Sequence, residues 1–146
     1  MKLNEIQEMW STDSRIDETN LGSESARIPK LHSKYLNLLV NSKLSARKAE
    51  SEYLRMRRLK WRYYRGEMTQ IELDELNWPQ WQGIKPLKNE MDEFIATDTD
   101  LITLQDKLEY HRTVLSLLEG ILKSIHSRTW DIKNSIEWTK FTNGMI

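Results

Sequence analysis

From Leu101 to Thr139 the sequence returns to one line of positions at alternating steps of three and four. The series is Leu101, Leu104, Leu108, His111, Leu115, Leu118, Leu122, Ile125, Thr129, Ile132, Ile136 and Thr139. Only an α-helix lays such a series along one face. The pattern runs without a proline and through a single interior glycine, Gly120, so the helix is long, roughly 60 Å at 1.5 Å per residue. A seam this narrow is stable only when a second helix covers it. The second seam lies upstream: Ile28, Leu31, Tyr35, Leu38, Ser42, Ser45 or Ala46, Ala49, Tyr53, Met56, Lys60 and Tyr63, apolar or small except for Lys60. The two seams predict an all-α protein, a long antiparallel helical hairpin of coiled-coil type.

Boundaries follow from punctuation. Helix is expected over 25–65, with Pro29 near its first turn and Gly66 at the left-handed C-cap position. The last helix is expected over 99–142, with Asp98 or Thr99 as N-cap and Gly144 as its stop. Residues 2–11, with Leu3, Ile6 and Trp10 on one face, form a helix too short to stand alone. Between the long helices, 66–99 is acidic and irregular: Thr69 caps a helix through Leu76, and another runs from Leu87 to Ile95. The Trp78 to Pro86 loop between them, with Trp78 and Trp81, is expected to pack against the rest. All of this reads as one domain, 1–146.

Charge is distributed very unevenly. With 22 Lys and Arg against 22 Asp and Glu the chain is formally neutral, yet residues 43 to 65 carry a balance of +7 and residues 66 to 100 a balance of −7. Only five Gly and three Pro leave too few breakers for many short strands, and the absence of cysteine excludes disulfides and thiolate metal sites. The N-terminus, MKLNEIQEMW, lacks the apolar core of a signal peptide, and no run approaches the roughly 18 apolar residues of a membrane span. A cytoplasmic protein without membrane attachment is expected. His32, His111 and His126 have no metal-ligand spacing, and no nucleophile or phosphate-loop motif is present, so neither an enzyme nor a cofactor is expected.

Two features point to partners. Beside the C-terminal seam runs a second apolar row, Ile102, Val114, Leu117, Ile121, Trp130, Trp138 and Phe141, so self-association is expected there, with Leu115, Leu118, Leu122, Ile125, Ile132 and Ile136 as the assembly residues. The stretch YLRMRRLKWRYYRG, Tyr53 to Gly66, holds six cations among aromatics and no acid. At 100° per residue Arg55, Arg58, Arg62 and Arg65 fall within about 80°, opposite Met56 and Tyr63. Trp61 flanks that arc on one side, and Arg57, Lys60 and Tyr64 lie toward the other. Three readings are open: a solvated face, a surface docked by the acidic middle region, or a groove for single-stranded nucleic acid. In the last, cations track the backbone while rings stack on bases, without sequence preference and with strong dependence on salt.

The run RRLKWRYYRG (57 to 66), with DTDLITLQ (98 to 105), LLEGILKSIHSR (117 to 128) and IKNSIEWTKFTNG (132 to 144) in the same order, resembles the UvsY family of phage recombination mediators. The resemblance covers nearly the whole chain. It implies a protein without enzymatic activity in the cytoplasm of the infected host cell. Such a protein binds single-stranded DNA, assembles into ring-like homo-oligomers, hexamers or heptamers, and loads a RecA-like recombinase onto DNA covered by single-stranded DNA-binding protein. The family's DNA-binding motif, two basic residues around one apolar residue ahead of a Tyr-Tyr pair, falls on Arg58, Leu59 and Lys60 with Tyr63 and Tyr64. Trp61, Arg62 and Arg65 depart from it toward more charge and more aromatic surface. The DNA-binding set is therefore Arg55, Arg57, Arg58, Lys60, Trp61, Arg62, Tyr64 and Arg65. The family's oligomerisation is attributed to its C-terminal region, in line with the apolar rows above. The Trp78 to Pro86 loop has no counterpart in the pattern. The competing reading is a non-enzymatic coiled-coil scaffold whose basic and acidic segments contact neighbouring subunits.

Overall fold

The computed structural model describes residues 1–144. Five helices follow one another: α1 Leu3–Asp13, α2 Leu21–Tyr64, α3 Gln70–Leu76, α4 Met91–Thr97 and α5 Thr99–Thr142. The all-α class and the two long helices are as the seams require.

The punctuation works as chemistry. Gly66 takes φ 70°, and the Glu67 N–H donates to the Arg62 carbonyl at 2.9 Å, closing α2 with the six-to-one bond of a left-handed cap. Asn77 (φ 57°) ends α3 the same way, with Trp78 N–H donating to Leu73 O at 2.9 Å. Asp98 caps α5: its Oδ1 accepts from the Leu101 N–H at 3.0 Å. Thr69 caps α3 through the Glu72 N–H at 3.3 Å.

Three boundaries differ from expectation. α2 starts at Leu21 because an Asp17–Thr19 turn delivers the chain to Asn20, whose carbonyl accepts from Glu24 N–H at 3.1 Å. Pro29 thus lies in the helix interior rather than near its first turn, and one backbone hydrogen bond is forgone. α1 runs on to Asp13, whose carboxylate is gripped by Lys34 Nζ at 2.6 Å and the Tyr35 hydroxyl at 2.8 Å. α4 begins at Met91 because Leu87 to Glu90 form a turn, with Leu87 N–H donating to Glu90 Oε2 at 3.2 Å.

The chain divides into two compact units, Met1–Leu44 with Arg112–Ile146, and Ser45–His111, and both long helices contribute to each. In the first, Ile6 of α1, Leu31 and Tyr35 of α2, and Val114, Leu118, Ile121 and Ile125 of α5 close one core. A helix of eleven residues is held because Ile6 joins, and Leu3, Met9 and Trp10 pack against, the core that also takes in Val114 and Ile121 of the second apolar row of α5. Arg128, buried, pins the segment after α1: it donates to Ser14 O at 3.2 Å, Arg15 O at 2.8 Å and Glu24 Oε2 at 2.9 Å. In the second unit, Ala49, Leu73, Met91, Ile95, Leu101 and Leu108 are buried. There Lys107 meets Glu52 and Asp100 meets Lys60, the partner numbers falling as α2 advances, as antiparallel helices demand.

Candidate nucleic-acid interface

The end of α2 has a covered side and an open one. On the covered side lies Lys60, the one charged residue of its seam. It is 8% exposed, with Nζ 2.7 Å from Asp100 Oδ2 and 3.3 Å from Asp98 Oδ2. Burial works against the ammonium, but the two carboxylates outweigh it and hold the Lys60 pKa above its ordinary value. Its Nζ also sits 4.5 Å from the Trp78 ring centroid. Asp98 is the hub: burial would raise its pKa, yet the Tyr64 hydroxyl (2.6 Å), the Leu101 N–H and Lys60 together hold it below the ordinary aspartate value. Burial and then Asp98 push the Tyr64 phenol upward.

The Trp78 to Pro86 loop packs on this side, as expected of it. The Tyr63 hydroxyl donates to Pro79 O at 2.6 Å, the Tyr63 and Trp78 ring centroids are 5.3 Å apart, and Tyr64 meets Trp81 edge-on at 4.9 Å and Phe94 at 5.5 Å. Edge-to-face pairs of this kind add about 0.5 to 1.5 kcal/mol each beyond the area they bury.

The eight residues expected to meet DNA therefore part company. Arg55 and Arg58 are exposed, and neither makes an ion pair among the described residues. Glu52, three residues before Arg55, is already engaged by Lys107 at 3.1 Å. Arg57 is half-buried with its guanidinium 5.8 Å from the Trp61 ring centroid, and Trp61, expected to stand open on the flank, is half-buried. Arg62 gives Glu72 two bonds, 2.8 and 3.1 Å, and Arg65 Nε lies 3.7 Å from Glu67. Lys60 and Tyr64 stand as corrections to an open basic surface. One sits on the buried seam and the other points its hydroxyl at Asp98, because α5 begins with acids where α2 ends. That pairing was legible in part, since a lone lysine on an apolar seam needs an anion opposite it.

The residues expected at the assembly contact also differ in exposure. Leu118 and Ile125 are fully buried and Ile132 is 3% exposed, all inside their own unit, so none of the three presents a surface. Leu115 and Leu122 are half-buried, and Ile136 is exposed. The apolar surface left at this end consists of Trp130, Ile136, Trp138 and Phe141, with the last two aromatic rings stacked at 5.7 Å. Among the described residues no helix is long and apolar enough to cross a membrane, and no His, Asp and Glu side chains group to hold a metal ion.

Known proteins match this arrangement end to end. The chain is 28% identical over 144 residues to the recombination protein uvsY of Enterobacteria phage T4, covering 99% of both. Two crystal structures of the bacteriophage T4 recombination mediator protein UvsY superpose with TM-scores of 0.85 and 0.80. Each is 26% identical; the first covers 98% of both chains, the second 97% of this chain and 99% of its own. The family described as "Recombination, repair and ssDNA binding protein UvsY" matches residues 9–145, and the chain belongs to that family.

Proposed function

We propose that this protein is a non-enzymatic recombination mediator. It binds single-stranded DNA without sequence preference and promotes loading of a RecA-like recombinase onto strands covered by single-stranded DNA-binding protein, in the cytoplasm of the infected host cell. The observation that carries the binding step is the exposure of Arg55 and Arg58, unpaired among the described residues, beside Lys60, Arg62 and Arg65, which are each matched to a carboxylate. Six cations in one short segment would repel one another. The fold relieves that by pairing Lys60, Arg62 and Arg65, and leaves two charges for phosphate, with Arg57 and Trp61 at the margin. Family membership supports the same reading.

Two guanidinium groups per chain bind weakly. Assembly multiplies them: in a ring of six or seven copies each bound subunit raises the effective strand concentration at the next. The exposed Trp130, Ile136, Trp138 and Phe141 are the apolar surface suited to that contact. Anisotropy of a labelled oligonucleotide at two salt concentrations, with native mass recorded in parallel, tests the proposal. Binding that weakens steeply with salt is expected. An intact oligomer that ignores the strand at low salt would point instead to a scaffold.

A further inference from the structure

We infer that the cleft between the end of α2 and the Trp81 loop is a pocket for a single unstacked nucleobase; this rests on the proposed single-strand binding. The cavity measures about 190 Å³ and is lined by Tyr63, Gly66, Gln70, Leu73, Gln80 and Trp81, with Met68 beside them. That is smaller than the roughly 300 to 1,000 Å³ of sites for whole small-molecule ligands, and suits one ring system.

The walls are aromatic and fixed in advance. Gly83 lies against the Trp81 indole so closely that a Cβ there would collide with Cζ2, and Trp81 Nε1 donates to Ile84 O at 3.3 Å. Tyr64 and Phe94 meet the indole edge-on. Tyr63 is anchored through Pro79 O, the residue before Gln80. Neither ring has to be ordered when a ligand arrives, which removes an entropic cost of binding. The Tyr63 and Trp81 planes meet at 60° with centroids 6.1 Å apart, forming a corner rather than a slot. A flat ring there lies on one wall and touches the other with its edge.

Polar groups at the rim suit a base rather than a phosphate. The Gln80 amide makes no hydrogen bond among the described residues, and Gln70 gives only its Nε2 to Asp74, at 2.9 Å, leaving Oε1 as an acceptor. An amide offers a donor and an acceptor side by side, the complement of a base edge. The nearby Glu67 and Glu72 are each tied to an arginine, but Asp74 is not paired with any cation among the described residues, so an anion is disfavoured in the cleft itself. Tyr63 and Gly66 stand at the same end of α2 as Arg62 and Arg65, so a strand that leaves the Arg55 and Arg58 face around this end of the helix would present a base to the cleft.

The test compares an oligothymidylate with an abasic strand of equal length and phosphate number, by anisotropy at matched salt. The base-bearing strand is expected to bind about tenfold tighter, the scale of one stacked base. Gln80→Ala and Trp81→Leu should weaken that strand alone and leave the salt slope unchanged. Gln80 is exposed, so its replacement reports even if Trp81→Leu does not fold. A gap that persists undiminished in Gln80→Ala, or loss shared equally by both strands, overturns the pocket while single-strand binding stands. Failure of both strands to bind the unaltered protein overturns the binding reading beneath it.

Discussion

The two sides of α2 between Arg55 and Arg65 carry the same kind of residue and put it to different use. Toward α5, Lys60 is enclosed by Asp98, Asp100 and the Trp78 ring, and Tyr64 is committed to Asp98. Away from it, Arg55 and Arg58 point into solvent. A cation inside a matched ionic cluster stabilises the fold and contributes little field outside it. A cation in water contributes little to the fold and much to the attraction of a polyanion. The density of basic residues in the sequence does not distinguish the two; position relative to the apolar seam does so for Lys60 against Arg55 and Arg58.

Removing Lys60 should break this contrast most forcefully. Lys60→Ala leaves Asp98 buried without its cation, a change that typically costs about 3 to 5 kcal/mol. Urea unfolding should show a loss of that size, and any fall in DNA binding should follow the fold. Full stability with binding abolished would mean that Lys60 leaves its carboxylates to meet the strand, and the covered side would no longer be distinct.

The same cluster sets a pH limit. Asp98 has a folded pKa below its ordinary value of 3.8, so its contribution is present above that value and lost as pH falls through the lower folded one. Lys60 is raised, so its contribution is complete below its ordinary value of 10.5 and disappears as pH rises through the folded one. Stability should therefore fall off on the acid side below about pH 4, and Asp98→Asn should flatten that limb while lowering stability at neutral pH. An unchanged acid limb in the variant would assign the loss to other carboxylates, such as Asp13, also held low.

Arg58→Ala makes the opposite test. Each phosphate contact on a single strand contributes about 0.7 to the slope of log affinity against log salt, so the slope should drop by about that much per subunit and affinity by several-fold. Stability should move by no more than about 0.5 kcal/mol, since the side chain is exposed and unpaired among the described residues. Lys60→Ala and Arg58→Ala thus separate along two axes, unfolding and salt dependence.

What was legible in the sequence was mostly what is local. The 3,4 spacing marked both seams, and Gly66, Thr69, Asp98 and Gly144 marked caps, because backbone geometry within a few residues decides them. What depended on a third element was not legible. Two apolar rows on α5 suggested an assembly face, but Val114 and Ile121 close into one core with Ile6 of α1, and the seam residues Leu118 and Ile125 lie in the same core. The surface that remains, around Trp130 and Trp138, was in the second row but could not be singled out without knowing where α1 stops. Likewise the pairing of Arg62 and Arg65 with Glu72 and Glu67 was not legible, because it depends on the turn at Gly66 that brings them back.

Arg62 stands on the border between the two sides, and the smallest expected effect probes it. Its Nη2 donates to both oxygens of Glu72, and both side chains are about one-third exposed, so the pair is worth no more than about 1 kcal/mol to the fold. Glu72→Gln should hardly change unfolding, yet it removes a negative charge from the rim and frees a guanidinium. If Arg62 belongs with the open side, DNA binding should tighten by about twofold and its salt slope steepen, toward one further phosphate contact. If Glu72 instead orients Arg62 for the strand, the same change should weaken binding, because an unanchored guanidinium loses rotamer freedom on contact that the paired one has already given up. The sign of that small shift therefore decides whether the turn after Gly66 blunts the arginine face or holds it in position.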